Sequence, residues 1–510
     1  MELVRQSFLA YLLSRVAEDW SDSRLNRLCL WLEEHLRRSA ADSAVCRFLW
    51  REGTLPRRWE ESWSRFLFAA LLDIPCAVVR WIYRTGRGLW EGSFFCRCLL
   101  SLSGCFWVLL GGFALVMLSV PHDYWNNAYG FLGAVALAAF FVLGCGRMPR
   151  RRLEGAAFGP YMLFYLLCVA SGLTASLSTR MSMRFFLFHA ASFLFAMLMV
   201  SAVERLSQLR GAVALMTAGI VIAGVYGCWQ GLTGTIAPGT DVSKVLYTGG
   251  RVIGRAYSFF DNPNNFAELL VMLIPLDLGL LLTARTWTGR LASLATLAPC
   301  LVSIGYTLSR SGWIGLALAV CVMALLLNWR LLAPLAILGV AALPFLPSSI
   351  YERVLSIGDR SDTSVSYRMA IYQSTFNLLR DYWLKGVGLG TDALGQAFRD
   401  YPRMYDGHFP IHTHNNYVEI WCETGLLGFL AYLALLANTA KTALRQFCRT
   451  ADRDVRRMLA AAVGAFCGIS VISLAEYTWF YPRNMFMYWM VFGVICACVK
   501  LGKQESAAEQ

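Results

Sequence analysis

Apolar runs of membrane length follow one another from about residue 99 to residue 501, and polar loops separate them. A helix that crosses a bilayer needs roughly 20 apolar residues, so each run is long enough, or nearly so, for one crossing. The pattern predicts an all-α, polytopic membrane protein with about twelve transmembrane helices. The predicted spans are 99–120, 127–146, 156–177, 185–203, 211–232, 264–284, 290–308, 311–328, 330–346, 416–440, 456–477 and 484–501.

The loops between these runs form two sets that differ in charge. One set is short and strongly basic, as in residues 147–152. Basic loops stay in the cytoplasm, so we expect both termini to be cytoplasmic and the two long loops, 233–262 and 347–415, to face outward. Two cations, Arg180 and Arg184, fall on the predicted outer side and do not fit this rule.

Residues 1–95 differ from the rest because they are rich in Arg, Trp and Glu. A surface helix is predicted where leucines recur three or four residues apart among charged neighbours. These are Leu25, Leu28, Leu32 and Leu36. The stretch 66–83 is apolar but broken by Asp73, Pro75 and Arg80, so we expect it to lie in the membrane interface, with a buried span as the alternative.

Five parts are therefore predicted: a cytoplasmic or interfacial N-terminal extension at 1–95, a membrane domain of nine spans at 96–346, an extracytoplasmic cap loop at 347–415, three further spans at 416–501 and a cytoplasmic tail at 502–510. This arrangement of spans and an outer cap is GT-C-like.

The cap loop is predicted to be helical, because apolar residues recur along it at helical spacing. The stripe comprises Val365, Met369, Tyr372, Phe376, Leu379 and Trp383. Glycines within 386–390 end this helix, and Asp392 is placed to cap a second one. A helical cap packed on the membrane domain would shelter a site on the outer side.

Composition agrees with a membrane protein and excludes other classes. The chain is 57% hydrophobic with a mean hydropathy of +0.49, which is too apolar for a soluble protein of 510 residues. Its net charge of +13 does not require nucleic acid, because basic loops, anionic lipids or a phosphate-bearing substrate account for it. The 16 cysteines are scattered, and neither a zinc site nor a disulfide framework is predicted.

Three histidines lie where the second long loop meets an apolar run: His408, His412 and His414. Imidazole exchanges a proton near neutral pH, so His414, at the boundary itself, is a candidate general base. The alternative is a polar loop at a helix start, with Asn415 or Asn416 as the N-cap.

Carboxylates follow this histidine along the chain. Glu419 and Glu423 lie one helical turn apart just after His414, where they can orient its ring or line a polar path. Glu476, at the end of the next-to-last span, is a weaker candidate of the same kind.

Four arginines lie on the predicted outer side: Arg251, Arg255, Arg310 and Arg368. A guanidinium beside an apolar helix needs an anionic partner, and its planar fork matches phosphate oxygens. Arg310 is the sharpest case, because it occupies a very short turn between two spans, where an unpaired charge is costly. Contact with lipid headgroups is the alternative for Arg251, Arg255 and Arg310. Arg368 is a weaker candidate, because exposed arginines are common on helices.

These residue types suit an anionic, lipid-linked substrate. A lipid-diphosphate sugar donor fits, because arginines can stabilise the charge that develops on a leaving diphosphate. His414 would then take a proton from the hydroxyl of the acceptor.

The segment that begins at His414 resembles the signature of the O-antigen ligase family, which includes the Wzy-type O-antigen and exopolysaccharide polymerases. That signature is His, then Asn, Ser or Gln, nine residues, Gly, two residues, and Gly, Thr or Tyr. It is matched in full by His414, Asn415, Gly425 and Gly428. Residues 255–264, 309–313, 366–368 and 386–390 are similar to further segments of the family, so the resemblance covers roughly residues 100–500.

The resemblance implies a glycosyltransferase of the inner or plasma membrane that works without metal or other cofactor. Its donor would be a polyisoprenoid-diphosphate-linked glycan on the outer leaflet, and its acceptor a glycan or lipid hydroxyl; membrane lipids are partners and nucleic acid is not. Arg255 and Arg310 would hold the diphosphate, and His414 would activate the acceptor. Further candidates for substrate binding are Arg251, Arg368, Asn415 and Glu419.

Ligase and polymerase differ only in the acceptor, so local chemistry does not separate them. We slightly favour a polymerase, because the family's polymerases are diverse and the extension at 1–95 is unusual. The alternative from another class is a glycolipid transporter or flippase. Transporters usually have repeated halves with sites near the membrane midplane, whereas this chain shows no internal repeat and gathers its charges at one face. A scaffold in an envelope complex is the third reading.

Overall fold

The computed structural model describes residues 15, 23–51, 53–234, 245–248, 251–357 and 363–508. The chain divides into two compact units, Met1–Arg57 and Arg58–Gln510. The first unit contains α1 (Arg24–Asp42) and α2 (Ala44–Trp50), and α3 (Thr54–Glu60) spans the boundary. The leucine pattern thus predicted α1 correctly.

The second unit is built of α-helices and, among the residues described, one β-hairpin. Its helices are α4 (Trp63–Thr85), α5 (Arg87–Gly92), α6 (Phe94–Gly104), α7 (Phe106–Ser119), α8 (Asn127–Gly144), α9 (Pro160–Ala175), α10 (Thr179–Ala202), α11 (Leu206–Thr233), α12 (Pro263–Thr283), α13 (Trp287–Tyr306), α14 (Arg310–Asn328), α15 (Leu332–Ala342), α16 (Ser348–Leu355), α17 (Thr363–Tyr382), α18 (Thr391–Ala397), α19 (Asn416–Arg449), α20 (Arg453–Ile472) and α21 (Pro482–Ala508).

Helices of membrane length dominate this unit. In the described part of the chain, ten helical stretches are long and apolar enough to cross a membrane, or eleven if the bent pair α6–α7 counts as one. The predicted fold class, an all-α polytopic membrane protein, is confirmed, although these spans number fewer than the predicted twelve. The difference arises partly because 156–177 forms only the 16-residue α9, and partly because 311–328 and 330–346 join in one stretch, Arg310–Phe345.

The stretch Arg310–Phe345 cannot be one straight rod. Arg310, the first residue of α14, donates a hydrogen bond from Nη1 to Ser356 O at 3.0 Å. The 19 residues of α14 rise about 28 Å, so the chain returns to the same end of α14 only if it reverses direction beyond Asn328. The short 3₁₀ turn Trp329–Leu331 marks the reversal, and α15 leads back toward the start of α14.

Small residues bring α14 and α20 together. A Cβ atom on Gly468 would lie 2.6 Å from the carbonyl oxygen of Gly315, and one on Gly464 would lie 2.6 Å from that of Ala319. Glycine and alanine let helix backbones approach closely in membranes. The contact therefore fixes the start of α14 beside the loop that follows α20.

The N-terminal helix α4 contacts one loop, residues 145–158, near both of its ends. Trp59 Nε1, just before α4, donates to Ala156 O at 3.1 Å, and Arg80 Nη1 donates to Arg151 O at 3.2 Å. The contacts fix α4 against the loop between α8 and α9. The length and composition of α4 suit a membrane span, which was the alternative for this stretch, so its position in the interface stays a prediction.

The cap helix α17 is present as predicted, but its buried face differs from the predicted stripe. Met369 and Phe376 are exposed, whereas Ile371 and Leu378 are buried. The buried side joins a cluster of apolar residues that includes Cys422 of α19. The predicted stripe is therefore only partly correct: Leu379 is buried in this cluster as predicted, whereas Met369 and Phe376 are not. The helix carries apolar residues on more than one side, and packing on α19 selects among them.

The glycine segment after α17 lies directly against α19. Gly386, Gly388 and Gly390 have positive φ angles, and Val387 N donates to Cys422 O at 2.7 Å. A side chain at Gly386 would meet the backbone of α19 within 2.6 Å, so glycine is required for this close approach.

The second cap helix explains one of the two outer cations that did not fit the charge rule. Gly390, and not Asp392 as predicted, is the N-cap of α18. Asp392 instead lies in the first turn and pairs with Arg184 at 3.0 Å. Both side chains are about half exposed, so the pair ties the cap to the start of α10 with little energy, on the order of 0–1 kcal/mol.

Candidate functional site

The backbone around His414 is fixed by the first turn of α19. Asn415 Oδ1 caps this helix by accepting hydrogen bonds from Tyr417 N and Val418 N at 3.0 and 3.1 Å. On the other side of the histidine, Thr413 N donates to Glu419 Oε2 at 2.7 Å. His414 is thus held between two anchored neighbours, with its side chain about one-quarter exposed.

Glu476, in the loop between α20 and α21, is the centre of the hydrogen-bond network. His414 Nδ1 lies 3.2 Å from Glu476 Oε2. The other carboxylate oxygen, Oε1, accepts a hydrogen bond from Asn264 Nδ2 at 3.2 Å and an ion pair from Arg368 Nη2. The side chain of Glu476 is 8% exposed, so these partners replace water.

The surroundings of Glu476 keep it ionised. Burial alone would raise its pKa, but the positive charge of Arg368 and the hydrogen bond from His414 outweigh burial and hold the pKa below its ordinary value. A carboxylate can only accept hydrogen bonds, so His414 Nδ1 must carry the proton. In the neutral ring this arrangement puts the lone pair on Nε2 of His414, which is the form that a general base requires.

Arg255 is joined to this network through Asn264. Its Nη2 donates to Asn264 Oδ1 at 2.7 Å, and its Nε donates to Thr307 O at 2.9 Å, in the turn between α13 and α14. The β-hairpin, in which Thr248 pairs with Arg251, ends at Gly254 and delivers Arg255 to this position.

Three arginines meet at the turn between α13 and α14. Arg255 donates to Thr307 O, Arg353 donates from Nε to Leu308 O at 3.4 Å, and Arg310 is the first residue of α14. Burial lowers the pKa of Arg255 to about 10, and the positive charges of Arg353, Arg368 and Arg310 act in the same direction, while Glu476 opposes them. A polyanionic ligand near Arg255 would relieve this repulsion.

Backbone strain is concentrated at the same place. Among the described residues, the non-glycine residues with positive φ are Ser258, Leu308 and His414, at 54°, 51° and 50°. They lie within three residues of Arg255, within two of Arg310, and at the candidate base itself. Such conformations cost about 1–3 kcal/mol each and cluster at functional sites.

The sequence-predicted candidates separate into two groups. His414, Arg255, Arg310 and Arg368 converge, as described above. Glu419 is fully buried and holds the backbone of Thr413, so it lies beneath the site and not among the arginines.

Two other predicted residues have different outcomes. Asn415 is the N-cap of α19, and its Nδ2 also donates to Leu474 O at 3.0 Å, so its side-chain oxygen is committed to the helix. Arg251 begins β2 (Arg251–Gly254), opposite β1 (Val245–Thr248), and its side chain lies outside the described part of the structure.

The histidine cluster is smaller than the sequence indicated. The ring of His412 lies 4.2 Å from that of His414, and His412 Nδ1 accepts a hydrogen bond from His414 N. Burial, followed by the charge of His414, lowers the pKa of His412 to about 3, so this ring is neutral. His408 is exposed in the preceding loop.

Sequence reasoning missed two groups in the site and underrated a third. Asn264 directly follows Asn262 and Pro263, which predict a helix start, so it was not singled out. Arg353 was one of many arginines on the predicted outer side. Glu476 was ranked below Glu419, although it is the carboxylate that contacts His414. Among the described residues, no group of three or more His, Cys, Asp or Glu side chains is arranged to hold a metal ion.

Comparison with known proteins supports the predicted relationship. A family model described as O-antigen ligase matches residues 295–433. The matched family is the one that the sequence resembles. The matched segment runs from α13 into α19 and contains Arg310, Arg353, Arg368 and His414. No curated protein matches the chain.

The O-antigen ligase match confirms the resemblance over this segment and supports an enzyme that acts on glycans in a membrane. The segment does not include Arg255, Asn264 or Glu476. Arg255 lies in the loop before α12, Asn264 lies in α12, and Glu476 lies in the loop after α20.

Proposed function

We propose that this chain transfers a glycan from a polyisoprenoid diphosphate to an acceptor hydroxyl on the outer leaflet, as an O-antigen ligase or a surface-polysaccharide polymerase. The single observation that carries the proposal is the hydrogen-bonded network in which Glu476 contacts His414 and Arg368 and is joined to Arg255 through Asn264. Cations suit the diphosphate, and the histidine suits the hydroxyl.

The transfer needs one proton acceptor and one stabilised leaving group. His414 Nε2 takes the proton from the acceptor hydroxyl, and the oxygen forms a bond to the anomeric carbon of the donor sugar. The bond from that carbon to the diphosphate oxygen breaks, and its electron pair stays on the diphosphate. Arg255 and Arg310 neutralise this charge, which grows as the bond breaks and is therefore stabilised most in the transition state.

Glu476 has a supporting role in this scheme. It keeps the proton of His414 on Nδ1 and stabilises the imidazolium that forms when Nε2 accepts the acceptor's proton. Arg368 reaches Glu476 directly, so it orients the carboxylate and adds positive charge beside the diphosphate.

The acceptor distinguishes a ligase from a polymerase, and both present a hydroxyl to His414. The orientation that this reaction requires places both termini in the cytoplasm and the cap outside. A glycolipid flippase would need no base at His414, so loss of transfer with retained lipid-linked glycan on the outer leaflet separates the two functions.

The test uses His414→Gln and Arg310→Ala in cells that depend on this chain for long surface glycan. We expect long-chain glycan to disappear while lipid-linked donor accumulates, because general-base catalysis contributes about 10²–10⁴-fold and an oxyanion partner about 10²–10³-fold.

Matched controls are His408→Ala, in the same loop, and Arg403→Ala, an exposed cap arginine that lies over the Phe409 ring. Both should leave glycan length unchanged at equal protein level. Normal long-chain glycan in the His414 and Arg310 variants would contradict the proposal.

A further inference from the structure

A cavity of about 420 Å³ lies beside the site, on the other side of the loop that follows α20. Its size falls within the roughly 300–1,000 Å³ that is usual for small-molecule pockets. The wall is formed by the start of α8 and the loop before it, the second and third turns of α10, the loop before α12, and the starts of α18 and α21 with the loop before α21. The cavity therefore opens on the same side of the molecule as His414.

One aromatic residue connects the cavity to the site. Phe480 lines the cavity, and its ring centroid lies 4.8 Å from that of His412, which in turn lies 4.2 Å from His414. Phe480 therefore contacts both the cavity and the histidine rings, and its side chain is 39% exposed. Asp261 also lines the cavity, 3.9 Å from His122 Nε2, and belongs to the loop that runs from Arg255 to the start of α12.

The lining combines aromatic faces with polar side chains of several kinds. Phe131 and Phe188 provide apolar surfaces, while Asn127 and Asp261 offer amide and carboxylate groups. Arg184 stands at the wall and is already paired with Asp392 of the cap. Isolated polar groups between aromatic surfaces suit a ring with one apolar face and several hydroxyl groups, and they do not suit an acyl chain.

We propose that this cavity is a carbohydrate subsite, which binds a sugar ring of one of the two substrates while the reacting ring lies at His414. The inference rests on the proposed function, because it takes the glycan as the substrate class. A sugar ring bound in the cavity would lie beside Phe480, and the next sugar of the same glycan would reach the exposed edge of His414.

The substrate that supplies this ring is distinguished by kinetics. Asp261→Asn and Asn127→Ala change the cavity wall, and Tyr124→Ala is the matched control because Tyr124 is 78% exposed nearby and outside the lining. Rates are measured in proteoliposomes with lipid-linked glycan and acceptor extracted from cells that express this chain, each varied in turn.

We expect Asp261→Asn to raise one KM about tenfold, equivalent to about 1.4 kcal/mol, because the amide keeps the size of the side chain but loses the charge that strengthens a hydrogen bond from a hydroxyl. We expect kcat to stay within about threefold. A raised KM for lipid-linked glycan assigns the ring to the donor, and a raised KM for the acceptor assigns it to the acceptor. Unchanged KM values for both substrates in both cavity variants would overturn the subsite.

A binding experiment separates this inference from the transfer reaction. Glycan released from its lipid by mild acid has no diphosphate, so Arg310→Ala should not weaken its binding to the purified protein. Asp261→Asn and Asn127→Ala should weaken it about tenfold, and Tyr124→Ala should not. Equal binding by parent and cavity variants, or no binding by the parent, contradicts the subsite even if transfer is observed. Binding without transfer would instead retain the subsite and reject the reaction.

Discussion

Replacing Glu476 with glutamine tests whether the histidine–carboxylate pair works as a unit. The change keeps the size of the side chain but removes its charge and adds an amide donor 3.2 Å from His414 Nδ1. The amide nitrogen can then donate to Nδ1, which moves the histidine proton to Nε2 and removes the base. In serine proteases the corresponding Asp-to-Asn change lowers kcat about 10⁴-fold through the wrong tautomer. We expect kcat to fall by about 10²–10⁴-fold and KM to change by less than about threefold.

The variant also leaves Arg368 without its carboxylate partner, and this must be separated from catalysis. The paired side chains are 22% and 8% exposed, and breaking a buried pair costs on the order of 3 kcal/mol. The double variant Glu476→Gln with Arg368→Met removes both charges, so it should regain much of the thermal stability of the parent protein while remaining inactive.

The assay follows initial transfer rates in proteoliposomes and the melting temperature of the same preparations. If the double variant recovered activity together with stability, Glu476 would serve only to neutralise Arg368, and the tautomer mechanism would be refuted. Activity of the single variant within threefold of the parent would refute it as well.

Three further predictions concern packing, pH and orientation. Gly468→Ala should lower the free energy of unfolding by about 1–3 kcal/mol and reduce activity, because its Cβ would meet the facing backbone at 2.6 Å. The control Gly339→Ala, whose Cβ would have nothing within 4 Å, should change neither quantity. Melting temperatures and transfer rates of the two variants check this. Between about pH 6.5 and pH 3, His412 is protonated in the unfolded chain but stays neutral in the folded protein. The free energy of unfolding should therefore fall by about 1.4 kcal/mol for each pH unit in this range. The melting temperature of His412→Asn should depend less on acid than that of the parent. Cysteines introduced at Ser64 and Thr85, near the two ends of α4, should react with a membrane-impermeant maleimide only after the cytoplasmic face is opened, and labelling of either one from outside intact cells would show that α4 crosses the membrane.

The residues that local sequence signals identified are those whose role depends on their immediate neighbours. His414 lies at the step from a polar loop to an apolar helix, and Arg310 is the first residue of α14, directly after the three-residue turn that follows α13. Both features are visible in one short window, because the cost of a charge or a titratable ring beside an apolar helix does not depend on the rest of the fold. The fold class followed from run lengths for the same reason.

The partners of these residues could not be predicted in that way. Glu476 is 62 positions from His414 and 212 positions from Asn264, so their contacts depend on how α12, α19 and α20 pack together. Spacing favoured Glu419 because it lies only five positions after His414, but as the fourth residue of α19 it points into the core beneath the loop. The buried face of α17 was missed for a similar reason, since apolar residues cover more than one side of that helix and α19 decides between them.

The O-antigen ligase segment provides the candidate base and three of the four arginines, and it does not provide the groups that orient them. Arg255, Asn264 and Glu476 come from outside residues 295–433. Arg255 connects to that segment at Thr307, and Glu476 connects to it at His414 and Arg368. The glycine contact between α14 and α20 places the two parts side by side, with Arg310 at the start of one helix and Glu476 just beyond the end of the other. A site divided in this way has a physical consequence. The matched segment alone would carry the cations and the imidazole without the carboxylate that fixes the proton, so the packing of helices on both sides of it is as much a part of the proposed chemistry as the histidine itself.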